Sequence, residues 1–195
     1  MPPLGSLATF GYAAKHTLRE IGWAMRSNPQ ALVIDTRLSP WCQWSHVWRR
    51  ASLEIAWERR YIWRGDWLGN VNHHDSTLPI QLANEEAGIA WLVRGLEKGY
   101  TLILLCACAN YDHCHRKVIV NRVRARCGAR LPDYQPGQRV WTPDGAGVIN
   151  PMIPLDVQRA RNRYTVLLDS GYPSRYYVPS DLHPYDVTQH PLAFR

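Results

Sequence analysis

Several residue types are scarce in this chain, and each shortage excludes something. Of 195 residues, three are lysine (Lys15, Lys98, Lys117), two are phenylalanine and three are methionine. No apolar run approaches the roughly 20 residues that a membrane-spanning helix needs. The start, Met1-Pro2-Pro3-Leu4-Gly5, lacks the basic residues and the apolar stretch of a secretory signal. Cysteine is present in an odd number, five, without such a signal, which argues for reduced thiols and against a disulfide framework. The expected location is therefore cytoplasmic, with no membrane contact.

Against that scarcity stand nine tryptophans and an excess of 23 cations over 16 acids. A net charge of +7 suits a polyanionic partner; an arginine bias also follows from genome base composition. Hydrophobic residues at 46% and charged residues at 20% mark a globular chain. The charge is uneven: residues 1–133 carry 17 cations and 11 acids, and residues 134–195 carry 6 and 5.

The residue pattern changes near position 133. It predicts an α/β domain over 1–133, a small all-β domain over 134–187 and a tail over 188–195. In the first domain, short apolar runs alternate with helical periodicities. Strands are expected at Ala8–Tyr12, Ala31–Asp35, Tyr61–Trp63 and Tyr100–Cys106, and helices at His16–Asn28, Ser45–Arg60, Asn84–Lys98 and Cys114–Cys127. The second helix is expected to bury a stripe of Trp44, Trp48, Ala51 and Ile55. The alternation implies a mostly parallel sheet with helices on both faces, a Rossmann-like three-layer arrangement. After residue 133 the helical signal stops. Five short strands are expected at Gln138–Trp141, Ala146–Asn150, Tyr164–Leu168, Arg175–Val178 and Leu182–Tyr185, separated by Gly/Pro turns.

Ligands of open α/β sheets bind beyond the carboxyl ends of the strands. Gly11-Tyr12, Asp35-Thr36-Arg37 and Cys106 end three of the strands, and Cys114-His115-Arg116 opens the last helix. A helix N-terminus favours anions and thiolates, so Arg37 and Arg116 are candidate anion-binding residues. Asp35, Cys106, Cys114 and His115 are candidate catalytic residues; the competing readings are an ion pair for Asp35 and simple core for Cys106. Cys127 reads as core. Cys106, Cys108, Cys114 and His115 are also four zinc-compatible ligands. Their spacing lacks a C-x2-C pair, and a C-x-C start is awkward for a tetrahedron, so a metal-free site is the favoured reading. His73-His74-Asp75 reads as a surface loop before it reads as a metal site. Six tryptophans, from Trp41 to Trp67, lie in 27 residues interleaved with arginines. Such a mixture builds stacking platforms for unpaired bases; Trp41 and Trp67, with Arg49 and Arg64, are the candidates.

Residues 8–130 resemble the family known as domain of unknown function 488. The resemblance is carried by Thr9-Phe10-Gly11-Tyr12, Val33-Ile34-Asp35-Thr36-Arg37 with Pro40, Leu68-Gly69, and Leu104-Leu105-Cys106-Ala107 followed by Cys114-His115-Arg116. It implies an α/β domain with cysteine, histidine and arginine gathered at one edge. The chain departs from the family pattern at Cys108, where an acid is usual, and at Thr36, where valine is usual. A looser likeness, of fold only, is to rhodanese-type sulfurtransferases. Gly137–Trp141, Pro143–Val148, Tyr164–Leu168 and Tyr176–Leu182 are similar to an SH3-like barrel; Arg159, Arg161 and Arg163 lie in its long loop.

The leading expectation is an intracellular enzyme acting on a nucleotide or nucleic acid, by hydrolysis or transfer at a base or glycosidic bond or by thiol chemistry. The alternatives are a non-enzymatic nucleic-acid-binding protein and a protein-interaction adaptor whose barrel grips a partner.

Overall fold

Leu102 to Cys106 is the longest fully apolar run within a strand, and it lies inside the main sheet. The computed structural model describes residues 4–13, 17–128, 131, 134, 137–153, 164–171, 175–177 and 182–184. These fall into two compact units, Met1–Leu131 and Pro132–Arg195. Arg159, Arg161, Arg163 and the expected tail lie outside the described residues.

The first unit is built on four parallel strands, β1 (Leu7–Gly11), β2 (Ala31–Asp35), β3 (Tyr61–Trp63) and β4 (Thr101–Cys106), in the order β1-β4-β2-β3. Every residue of β4 is buried, because strands flank it on both sides and side chains cover both faces. Alternation splits it: Leu102 and Leu104 enter one core with Leu92, Leu96, Ile119 and Val123, while Ile103 and Leu105 enter the other with Ile21, Met25 and Leu53. One core thus receives α4 (Glu85–Glu97) and α5 (His115–Cys127), and the other α1 (Thr17–Ser27) and α2 (Arg50–Trp57). The three layers are present, yet β4 separates β1 from β2, which are neighbours in the dinucleotide-binding order. The register sets Gly11 beside Cys106 and Asp35 beside Leu105, so the loops after β1, β2 and β4 leave one edge together.

The long helix expected over 45–60 is broken. A 3-10 turn spans His46–Trp48, Arg49 is extended (φ −79°, ψ 147°), and α2 starts only at Arg50. That break resets the helical phase. Trp48 and Leu53 are buried, while Trp44 and Ile55 are 91% and 80% exposed, so the expected buried stripe is not formed. A short helix, α3 (Gly65–Leu68), follows β3, and a loop leads from it to α4, whose first turn is capped by Asn84 accepting from Ala87 N–H at 3.3 Å.

The second unit is an antiparallel sheet of β5 (Arg139–Thr142), β6 (Gly145–Ile149), β7 (Tyr164–Leu168), β8 (Arg175–Tyr177) and the two-residue β9 (His183–Pro184), in the order β8-β7-β6-β5-β9. Val140, Ile149, Tyr164, Val166, Leu168, Tyr177 and Leu182 form its core with Tyr134. Among the described residues β8 and β9 remain the two edges, so a closed barrel is not formed.

Candidate functional site

The edge at the carboxyl ends of β1, β2 and β4 opens on a cavity of about 630 Å³, a size that accepts a small-molecule ligand. Tyr12 follows β1, Arg37 to Ser39 and Trp41 follow β2, and Cys106 to Cys108 close β4. Asp112, His113 and His115 line it from the approach to α5, and Asn70 to Ile80 supply residues of the opposite wall.

α5 delivers its first residues inward because its apolar face, Ile119, Val120, Val123 and Cys127, repeats at helical spacing against the sheet. His115 and Arg116 are the continuation of that face and are 8% and 2% exposed. Cys114 is the N-cap, with extended backbone, and is buried. Cys106 Sγ lies 3.8 Å from Cys108 Sγ and 3.9 Å from His115 Nδ1; Cys114 Sγ lies 4.0 Å from the same nitrogen. The other ring nitrogen, Nε2, is 3.0 Å from the Thr36 carbonyl oxygen and 2.9 Å from Thr36 Oγ1, whose own hydrogen goes to Leu105 O. A carbonyl only accepts, so Nε2 carries the proton and Nδ1 turns its lone pair on the sulfurs.

The three thiols titrate as a group. Cys114 is held far below the usual thiol range, first by hydrogen bonds from Cys106 and Cys108, which outweigh burial, and further by the Arg116 charge. Its hydrogen bond from Arg116 Nε is 3.1 Å. Cys108 lowers Cys106, but Cys114 and burial prevail and push it up to about 11. Cys108 is raised as well, by Cys106 and then Cys114.

Asp35 is placed differently from these. It is fully buried and does not line the cavity. Its Oδ1 accepts from Arg37 Nε (2.8 Å) and Arg37 N (3.1 Å), and its Oδ2 from Arg37 Nη2 (2.5 Å) and Tyr61 Oη (2.6 Å). Burial works against the Arg37 charge, but Asp35 outweighs it and raises the guanidinium pKa. Arg37 Nη1 donates to Trp48 O at 2.8 Å, so the side chain that lines the cavity is already engaged on its far side. Arg116 also points inward: Nη2 donates to Cys108 O at 2.7 Å, which shapes the turn after β4. Gly11 makes room for that turn, since a Cβ there would collide with Cys108 O and lie 2.9 Å from Arg116 Nη2.

Trp41 is 63% exposed, lines the cavity and is backed by Arg49, whose Cζ is 4.0 Å from a ring centroid. Trp67 and Arg64 do not join them. Arg64 lies 4.9 Å from both Trp67 and Trp91, and Trp67 packs on the core under α4. The wall from Asn70 to Ile80 is not foreseen in the sequence, where His73-His74-Asp75 reads first as a surface loop and second as a metal site. Its signal is asparagine: Asn70 Oδ1 accepts from Asn72 N and Gln81 N at 3.2 and 3.0 Å, and Asn72 Nδ2 donates to Pro79 O at 2.9 Å. His73 and Asp75 of this loop are exposed and line the cavity; among the described residues they are not grouped with a third ligand.

The fold and site define an α/β protein with a buried cysteine–histidine cluster at the carboxyl edge of a parallel sheet. The chain belongs to the family described as domain of unknown function DUF488, whose model matches residues 17–123. No curated protein and no solved structure matches it.

Proposed function

We propose that the first unit is an intracellular, cytoplasmic enzyme whose substrate carries a nucleobase, as a nucleotide or an unpaired stretch of nucleic acid. The observation that carries this reading is that one cavity is lined both by Cys106, Cys108 and His115 and by the exposed, arginine-backed ring of Trp41. A planar heterocycle stacks on such a ring, with its base or glycosidic bond turned toward the cysteine–histidine corner for hydrolysis or transfer. The polar wall of Asn70, Asn72, Ser39 and Ser76 suits the edge of a base or a sugar. Asp35 serves as a positioning residue for Arg37 in this reading, since its oxygens are occupied. The last strand of the second unit pairs with its first, β9 with β5, which supports an SH3-like module that holds a nucleic-acid or protein partner.

The test is a fluorescence titration of the full chain with nucleosides, nucleotides and short single strands, with product analysis. Binding that quenches tryptophan emission, is lost in Trp41→Ala and persists in Trp67→Phe is the expected result, with turnover abolished in Cys106→Ser. Absence of binding to every member of the panel overturns the reading. A second reading, non-enzymatic strand binding, is favoured by the exposure of Trp44 beside Trp41, 91% and 63%. It requires salt-sensitive binding without product.

A further inference from the structure

We propose that Cys106, Cys114 and His115 bind zinc(II), with Cys108 as the fourth ligand on the cavity side. The proposal concerns what the corner holds. It stands on the geometry of that corner and is independent of the nucleobase reading.

The donor atoms Cys106 Sγ, Cys114 Sγ and His115 Nδ1 all lie within 4.8 Å of one another, and Cys108 Sγ is 3.8 Å from Cys106 Sγ. In a tetrahedral zinc site, with Zn–S of about 2.3 Å and Zn–N of about 2.0–2.1 Å, ligand atoms are spaced by about 3.5–3.8 Å. The observed 3.9 and 4.0 Å from the two sulfurs to Nδ1 need only a few tenths of contraction; Cys108 Sγ, 3.8 Å from Cys106 Sγ, stands outside the group of three and closes the fourth corner by turning its exposed side chain inward. Chain spacing alone reads against such a site. Here one pair of sulfurs comes from the end of β4 and another donor pair from the start of α5, so the tetrahedron is assembled by two elements and not by a local knuckle.

Three features of the surroundings match a metal. His115 donates Nε2–H to the Thr36 carbonyl, the outer contact by which a ligating histidine is usually oriented, and Nδ1 is left as the donor. Sulfur and imidazole select a soft or borderline cation and disfavour magnesium or calcium. Charge also fits: two thiolates balance the dication, and the surplus charge of a third faces Arg116 Nε, 3.1 Å from Cys114 Sγ. A bare cysteine–histidine nucleophile fits less well. Cys114 and Cys106 are 1% and 3% exposed, whereas an attacking thiol must meet its substrate. Cys108 alone of the four is exposed, so the fourth corner is the one that can exchange for water or ligand from the cavity.

The experiment is cobalt(II) titration of the reduced, metal-stripped full chain, followed by zinc competition and metal analysis. The expected result is one equivalent bound, with thiolate-to-metal charge-transfer absorption and the d–d bands of a tetrahedral site, both erased by zinc. Cys106→Ser and Cys114→Ser lose the charge-transfer band or weaken binding at least ~100-fold; Cys108→Ser keeps binding but shifts the d–d bands. Cys42→Ala and Cys127→Ala leave the spectrum unchanged. Thr36→Val, which keeps the carbonyl contact and removes only the hydroxyl, retains the bands and weakens zinc by no more than about tenfold. Failure of the unmodified chain to take up cobalt or zinc stoichiometrically overturns the proposal, as does a spectrum insensitive to Cys106→Ser and Cys114→Ser. Neither result depends on nucleotide binding.

Discussion

His115 Nε2 sits 3.0 Å from the backbone oxygen of Thr36. This contact joins the end of β2 to the start of α5, 79 residues later, and it settles which ring nitrogen faces the cysteines. Thr36 Oγ1 accepts from the same nitrogen and donates to Leu105 O at 2.9 Å, so one hydroxyl ties together β2, β4 and the imidazole.

Thr36→Val removes that hydroxyl while keeping shape. The carbonyl contact survives, so the Nε2–H tautomer is retained, and the lost hydroxyl bonds cost about 1–2 kcal/mol. Urea unfolding measures the cost, and imidazole nitrogen shifts in an NMR spectrum report the tautomer; a change of tautomer contradicts the assignment.

Asp35→Asn leaves the buried Arg37 guanidinium without its counter-ion. Breaking a buried pair in this way destabilises by about 3–5 kcal/mol. Chemical denaturation of the first unit checks it. A variant of unchanged stability that has lost nucleotide turnover identifies Asp35 as a reacting group instead.

Gly11→Ala places a methyl group against Cys108 O and Arg116 Nη2. The turn after β4 must move, and with it Cys106 and Cys108. The expected outcome is retained secondary structure by circular dichroism with cobalt affinity reduced at least ~10-fold, the scale of losses for an outer-shell change.

Glu58 is the one non-glycine residue with positive φ among the described residues (φ 48°, ψ −127°). No L side chain is comfortable there, and strain of this kind costs of order 1–3 kcal/mol. Glu58→Gly is therefore expected to raise stability by about 1 kcal/mol, after the entropy cost of glycine. An unchanged or lower urea midpoint removes the strain argument.

Tyr134 has its phenol pKa raised from 10.0 to about 12 by burial and, second, by Tyr164, whose ring meets it edge-on at 5.4 Å. A pKa raised on folding stabilises the native state below the unfolded pKa, and this contribution is lost as pH rises through the folded one. The second unit should thus hold its stability up to about pH 10 and lose part of it between 10 and 12. Denaturation of the full chain over that range measures the loss, and Tyr134→Phe flattens it.

The legible part of this protein was local. Apolar runs and 3.6-residue periodicities marked β2, β4, α4 and α5, because a buried strand and an amphipathic helix write their environment into nearest neighbours. The break at Arg49 was not legible. Trp44 and Trp48 before it and Ala51 and Ile55 after it satisfy a helical stripe on paper, and only an extended residue between them shows that Trp48 and Ile55 belong to different frames. The Asn70 to Ile80 wall was hidden for the opposite reason: its order comes from asparagine side chains bonding backbone, which leaves no period.

The sequence by itself determined that Gly11, Asp35 and Cys106 end strands of a parallel sheet, hence that their loops share an edge, since parallel strands all finish on one side. It also determined the family, through Cys106 and Cys114-His115-Arg116. The tertiary structure decided what those groups face. With β4 inserted between β1 and β2, Cys106 pairs in register with Gly11 while Leu105 pairs with Asp35. Successive residues of a strand point to opposite faces. Asp35 therefore closes on Arg37 and Tyr61 inside the fold, and Cys106 and Cys114 close on His115.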